Sequence, residues 1–364
     1  MPFQRTQITK PDGRRLWFYS WEKPPPGVTA LVGGPALESE GLELRWNPVL
    51  EEWLVVAPER QERTFFPPDE YCPLCPTRDA SMPTELPASG YEVAVFENRF
   101  PSFSRSATRP ARTRAPYEAA KANGGAEVVV YSPDHSAALS DMPIERVERL
   151  VDVWTDRYRE LATRRDVQYV LIFENRGEEI GVTLTHPHGQ IYAFPFVPPV
   201  PARELAAVAR YRREKGTCLH CGIVAAETKA RRRVVFANSG FVAFVPYYAR
   251  YPYEVHIVSR QHRSSLLELS GEEQRDLAVA LQTTLRKYDD LWSRQMPFVM
   301  VLHQRPADGR RYPGCHLHFE FTPPYRSREK LKFLAGCETG AGVFINDARA
   351  EQTAAELRRA EPRT

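Results

Sequence analysis

The side chains best suited to chemistry stand in His186-Pro-His188-Gly-Gln190. On an extended strand alternate residues share a face, so His186, His188 and Gln190 should form one polar row while Pro187 and Gly189 face the other way. Proline cannot donate to a β ladder, which puts the segment at a sheet edge or a strand start; Gly189 would let another backbone or a ligand come close. A neutral imidazole attacks phosphorus without a base, provided an acceptor such as a backbone carbonyl holds its other nitrogen in one tautomer. His188 is therefore the candidate nucleophile. Gln190 is the candidate donor to a non-bridging phosphoryl oxygen, and it cannot serve as acid or base near neutral pH. That combination favours group transfer over hydrolysis.

Four of the six cysteines form two Cys-x-x-Cys pairs, Cys72/Cys75 and Cys218/Cys221. In a reducing compartment this spacing suggests metal ligands before disulfides. Zinc takes four tetrahedral nitrogen and sulfur ligands, so each pair, read as a turn, needs two more from elsewhere. Each half of the chain offers two histidines: His135 and His186 in the first, His262 and His316 in the second. A redox pair or two packed thiols would explain one Cys-x-x-Cys, but two copies with matching histidines favour metal. All four positions filled by protein make such metals structural, leaving no place for water or substrate. His220 reads as a turn residue, and Cys315 and Cys337 as buried packing residues.

These residues recur because the chain says similar things twice. After Cys72 come Phe96-Glu-Asn98, a β-rich run from Glu127 to Ser132, then His135; after Cys218 come Phe236-Ala-Asn238, a run from Glu254 to Ser259, then His262. In both, the histidine stands eight positions after the glutamate. Helical periodicity follows, from about Ile144 to Leu161 and from about Gly271 to Leu291, and then an apolar strand, Tyr169–Phe173 or Phe298–Leu302, and a His-x-His. The pattern predicts an α+β protein with antiparallel sheet and one long helix per half. Predicted boundaries are an N-terminal extension over 1–40, halves over 41–195 and 196–346, and a tail over 347–364. Lys10-Pro-Asp-Gly13 suggests a hairpin turn, Pro24-Pro25-Pro26 a stiff linker, and the stretch from Asp347 to Ala360 an exposed helix.

Composition limits the alternatives. The chain has 364 residues, 42% of them hydrophobic, enough for a large core. Its 49 basic and 46 acidic residues leave a net charge of +3, which gives no reason to expect a polyanion-binding surface or a nucleic-acid partner. No stretch approaches the roughly 20 apolar residues of a membrane span, and the N-terminus lacks an apolar signal region, so a cytoplasmic location without a membrane partner is expected. The remote rival is a non-enzymatic zinc-ribbon protein binding nucleic acid through patches such as Arg231-Arg232-Arg233. It fits less well, because a ribbon needs neither the His-Pro-His-Gly-Gln row nor a helix-sized duplication.

The string His186-Pro-His188-Gly189-Gln190-Ile191, preceded by Phe173-Glu174-Asn175-Arg176-Gly177, resembles the active-site signature of galactose-1-phosphate uridylyltransferases, with similarity from about Leu44 to Glu338. The resemblance implies a duplicated histidine-triad (HIT-like) fold, a homodimer, and exchange of UMP between UDP-glucose and galactose 1-phosphate by a ping-pong path through a uridylyl-histidine. By position it makes Cys72, Cys75, His135 and His186 zinc ligands, His188 the nucleophile and Gln190 its phosphoryl partner. Arg60, Arg63, Asn98, Asn175, Thr183 and Phe96 become nucleotide contacts, and Lys332 and Glu338 hexose contacts. Departures matter too. Cys218, Cys221 and His316 add a second tetrad with His262, and Cys337 replaces a sugar-contacting tyrosine. Glu204, His303 and His318 match a further metal site whose last histidine is here Glu320, which puts that site in doubt. Since no residue read here fixes the base, a nucleotide-sugar phosphorylase or hydrolase acting on an adenine nucleotide is the alternative.

Overall fold

The computed structural model describes residues 3–22, 41–63, 66–79 and 81–360; the Pro24-Pro25-Pro26 segment lies outside them. Its centre is an eleven-stranded antiparallel sheet. From the first half come β1 (Gln4–Thr9), β2 (Arg15–Ser20), β5 (Val93–Glu97), β7 (Gly125–Val130), β8 (Tyr169–Arg176) and β9 (His188–Phe194). The second half supplies β10 (Val234–Ala237), β11 (Phe241–Phe244), β12 (Val255–Ser259), β13 (Phe298–His303) and β14 (His318–Thr322). Three further strands, β3 (Glu43–Asn47), β4 (Glu52–Val56) and β6 (Ala119–Lys121), form a small sheet beside it.

The order β1-β2-β5-β7-β9-β8-β13-β14-β12-β11-β10 reads as a near-palindrome about the β8/β13 seam, where Phe298 pairs with Arg176 and Leu302 with Ile172. The duplication legible in the sequence is therefore a two-fold arrangement within one continuous sheet. Its fine register differs from the sequence reading. Val130 pairs with His188 and Val258 with His318, but Glu127 lies opposite Ile191 while Glu254 precedes its strand. The two glutamates accordingly do different work. Glu127 grips the fully buried Arg157 guanidinium at 2.7 and 2.9 Å, beneath the Trp17 ring, whereas Glu254 accepts the main-chain N–H groups of Arg250 and Tyr251.

The long helices cover one face of the sheet. In α1 (Ile144–Ala162), Val147, Leu150, Val151, Trp154, Tyr158 and Leu161 recur at helical spacing and are all buried. After α2 (Pro199–Lys215) and α3 (Leu219–Ala230), the second long helix α4 (Gly271–Leu291) starts at a capping box: Ser270 Oγ accepts from Glu273 N, and Glu273 accepts from Ser270 N. It buries Leu277, Leu281, Leu285 and Tyr288 in the same core. Past the short α5 (Gly336–Ala341), the tail forms α6 (Ala350–Arg359), which is amphipathic rather than exposed: Ala350, Thr353, Ala354 and Leu357 are buried, and its core-facing residues join those of α4. On the opposite face of the sheet, the Cys72–Cys75 loop packs with Phe96, Val128 and Val130, and α3 packs with Val242, Phe244 and Val258. No helix among the described residues is long and apolar enough to cross a membrane.

Candidate active site

His188 opens β9 between β7 and β8, so Pro187 sits at a strand start inside the sheet and not at an edge. Its Nδ1 lies 2.8 Å from the His186 carbonyl. A carbonyl only accepts, so Nδ1 carries the proton and Nε2 keeps its lone pair. Burial pulls the His188 pKa below its ordinary value, and nearby Arg63 adds to that against the opposing hydrogen bond to His186. The ring is thus held neutral and in the nucleophilic tautomer.

It faces a cavity of about 580 Å³. Cross-strand registers place Gln190, Val128, Phe96 and Leu16 in one row over β9, β7, β5 and β2, so the wall turns from polar to apolar away from His188. His188, Gln190, Arg63, Thr183, Asn98 and Phe96 all line this cavity. The Gln190 amide oxygen is sealed from solvent and has no hydrogen-bond partner. Asn98 uses its oxygen on the Phe100 N–H, leaving its amide nitrogen for a ligand. Asn175 lines a second cavity of about 430 Å³ that shares His188 and Leu184 with the first.

Other expected contacts are not brought together. Arg60 donates to the Phe100 carbonyl and the Tyr192 hydroxyl and lines neither cavity. Lys332 and Glu338 bind each other in a buried pair at 3.3 Å, also away from both cavities. Gly189 is required by something other than a ligand. A Cβ built there would lie 2.2 Å from the Tyr131 hydroxyl, which donates to a carboxyl oxygen of the buried Glu174 at 2.9 Å.

Both expected tetrads converge. The ligand atoms of Cys72, Cys75, His135 and His186 lie within 4.8 Å of one another, as do those of Cys218, Cys221, His262 and His316. The sulfur–nitrogen separations, 3.3 and 3.5 Å in the first and 3.5 to 3.7 Å in the second, match the roughly 3.5 Å edge of a tetrahedron with zinc bond lengths. Ser132 and Ser259 each accept the Nε2–H of the central histidine through their carbonyls at 2.8 Å, leaving Nδ1 to ligate. Burial and the neighbouring Cys72 push the Cys75 thiol up to about 12 in the absence of a cation, so a divalent ion would supply the charge that makes this group a thiolate. The second pair is not a turn: Cys218 caps α3 and Cys221 lies in its first turn. Of the remaining thiols, Cys315 is buried and pushed up to about 12, whereas Cys337 is partly exposed, against expectation.

The cluster doubted because of Glu320 does assemble: Glu204, His303, His318 and Glu320 also place their ligand atoms within 4.8 Å of one another. His318 is the counterpart of His188, with the same Nδ1 contact to a carbonyl, that of His316, at 2.8 Å. There the resemblance between halves stops. Glu320 stands where Gln190 stands, and His256 where Val128 stands, with His256 Nε2 3.4 Å from Glu320. His220, expected in a turn, belongs to α3 and stacks on His318 at 4.6 Å. Neither His220 nor His256 was read as part of a site; the available signal was a histidine inside the apolar run Val255–Val258. Arg233, in the patch of the nucleic-acid rival, is engaged by Glu227 and Glu351.

Residues 36–198 match the galactose-1-phosphate uridyl transferase N-terminal domain and residues 204–362 its C-terminal domain. The chain is 40% identical over 322 residues to a galactose-1-phosphate uridylyltransferase of Thermotoga maritima, covering 88% of this chain and 99% of that one. A solved structure of a uridylyltransferase is 39% identical, covers 88% of this chain and 98% of its own, and superposes with a TM-score of 0.78. An ADP-glucose phosphorylase from Arabidopsis thaliana with bound ADP-glucose superposes at 0.68, with 27% identity over 87% of this chain and 99% of that one. With both halves matched in order, the chain belongs to the galactose-1-phosphate uridylyltransferase family.

Proposed function

We propose that this protein exchanges UMP between UDP-glucose and galactose 1-phosphate through a covalent uridylyl-His188. One observation carries the reading: an imidazole whose Nδ1 is committed to a carbonyl directs a free Nε2 into a cavity that Gln190 and Arg63 also line. Nε2 forms a bond to the α-phosphorus as the bond to the departing glucose 1-phosphate breaks, and the Nδ1 proton stays on the ring. The resulting positive ring is stabilised by the His186 carbonyl. Gln190 and the Arg63 guanidinium face the charge on the phosphoryl oxygens, Thr183 adds a hydroxyl, and Asn98, Asn175 and Phe96 hold the nucleoside. Galactose 1-phosphate then attacks phosphorus and the nitrogen–phosphorus bond breaks, giving UDP-galactose.

In this reading zinc fills both cysteine–histidine tetrads and serves structure, fixing His186 two residues from the nucleophile. The enzyme works in the cytoplasm as a homodimer without nucleic-acid or membrane partners. The dimer is supported by the placement of Lys332 and Glu338, remote from this chain's own cavity and flanked by exposed Phe333, Leu334, Val343 and Ile345. A second copy docking there would cover the apolar patch and bring the pair toward a neighbouring cavity. The likeness to an ADP-glucose phosphorylase sustains the alternative substrate, an adenine nucleotide sugar.

The experiment is incubation with UDP-glucose carrying radiophosphorus next to the uridine. Wild type should retain the label after denaturation and His188→Asn should not; equal labelling of the two ends the nucleophile assignment. Labelling by ADP-glucose in place of UDP-glucose would move the assignment to the alternative.

A further inference from the structure

The hairpin of β1 and β2 precedes residue 36, where the match to the family's N-terminal domain begins, yet it packs directly behind two residues that line the cavity, Glu85 and Phe96. β2 extends the sheet beyond β5, with Leu16 opposite Phe96. From the turn between them, Lys10 sets its ammonium 4.9 Å from the centre of the Phe96 ring and pairs with Glu85. Arg14 binds the same carboxylate at 2.9 and 3.2 Å while holding Asp12 and the Glu97 carbonyl. Glu85 lines the cavity beside Pro73, Leu74 and Phe96, and its own N–H is tied to the Pro73 carbonyl at 3.0 Å. Two cations and two carboxylates cancel, so this end of the cavity presents an oriented acceptor without net charge.

Counting lone pairs shows what the acceptor can still do. A carboxylate offers about four acceptor positions. Lys10 donates to Oε2, against which the Arg14 guanidinium also rests at 2.9 Å, and Arg14 donates to Oε1 at 3.2 Å. Acceptor capacity remains on Oε1, and the residues that line the cavity beside Glu85, namely Pro73, Leu74 and Phe96, make an apolar slot that suits the flat face of a base. We infer that Glu85 reads the base: held in place by the N-terminal hairpin, it accepts the imide N–H of uracil and so makes the hairpin part of nucleotide selection. This rests on the uridylyltransferase reading of the cavity. Lys10 and Arg14 are then positioning residues and Glu85 a specificity residue, all remote from phosphorus.

A contact so far from the reacting bond acts alike on ground and transition states, and therefore appears in KM and not in kcat. The test compares UDP-glucose with its N3-methyl-uracil analogue, in which a methyl group replaces that N–H donor. Wild type should show a KM about 10–100-fold higher for the analogue, the loss expected for a hydrogen bond to a charged group. In Glu85→Ala the two substrates should agree within about 3-fold, at unchanged zinc content. Should stranding Lys10 prevent folding, the double variant Lys10→Met with Glu85→Ala removes both buried charges and carries the same comparison. Equal KM values in wild type, or the wild-type ratio persisting in the variant, overturns the inference and leaves the uridylyltransferase reading standing. A wild-type enzyme that uses neither substrate overturns both.

Discussion

Replacing Gly189 by alanine tests how the strand that bears His188 is seated. The added Cβ would meet the Tyr131 hydroxyl at 2.2 Å, the Tyr131 ring carbon behind it at 3.1 Å and the Phe173 carbonyl at 3.2 Å. The last two are tight but tolerable; the first requires movement. Tyr131 cannot retreat freely, because its ring is 2% exposed, faces Trp154, and its hydroxyl is bonded to Glu174. Overpacking of this kind costs about 1–3 kcal/mol, and prising the tyrosine from its buried partner adds about 1–3 kcal/mol. Gly189→Ala should therefore lose about 2–6 kcal/mol of unfolding free energy and depress nucleotidyl labelling of His188 by displacing β9. The decisive measurement is a double-mutant cycle by chemical denaturation. In a Tyr131→Phe background the clashing atom is gone, so Gly189→Ala should cost less than about 1.5 kcal/mol. The Tyr131–Glu174 bond is absent from both members of the phenylalanine pair, so its loss adds only to the cost in the tyrosine background. Equal costs in the two backgrounds would refute the steric account and return Gly189 to the role of a ligand-approach residue.

Two other outcomes follow from buried groups. Burial pushes the Glu174 carboxyl up to about 7 despite the opposing charge of Arg176 and the Tyr131 hydrogen bond. The folded chain thus keeps a proton that the unfolded chain releases near pH 4.5, so stability falls as pH rises from there to about 7, by about 3 kcal/mol; denaturation curves of Glu174→Gln should lack this slope, and identical pH dependence in both proteins would sink the assignment. Elemental analysis should find two zinc ions per chain in wild type and one in Cys221→Ser, whose altered side chain lies at the more open tetrad. A zinc count unaffected by that substitution would remove the second centre.

What could be read from the sequence was what repeats or has a period. Both long helices were legible because apolar residues recur every third or fourth position over five turns, and both tetrads because ligand spacing recurs between halves. The α+β antiparallel class followed from the same patterns. Interactions across long stretches left no local trace. Nothing near Lys10 announces Glu85, and nothing near Tyr131 explains Gly189, since each pairing exists only once strands are in register. Helices α2 and α3 were missed because their apolar residues form no broad stripe; α2 buries only Pro201 and Val208. The tail was misjudged as exposed because its core face is built largely of alanine and threonine, which carry little hydropathic signal.

The pairing of Tyr169–Arg176 with Phe298–His303 has a consequence for how such a molecule can change. Separated, each half would expose a raw, largely apolar strand edge at what is now the middle of the molecule, an invitation to indiscriminate adhesion. Each copy is thus the other's indispensable wall, whatever chemistry it performs. That obligation frees the second copy's reactive face to be rebuilt, with Glu320 and His256 in place of Gln190 and Val128, while its scaffold cannot be discarded.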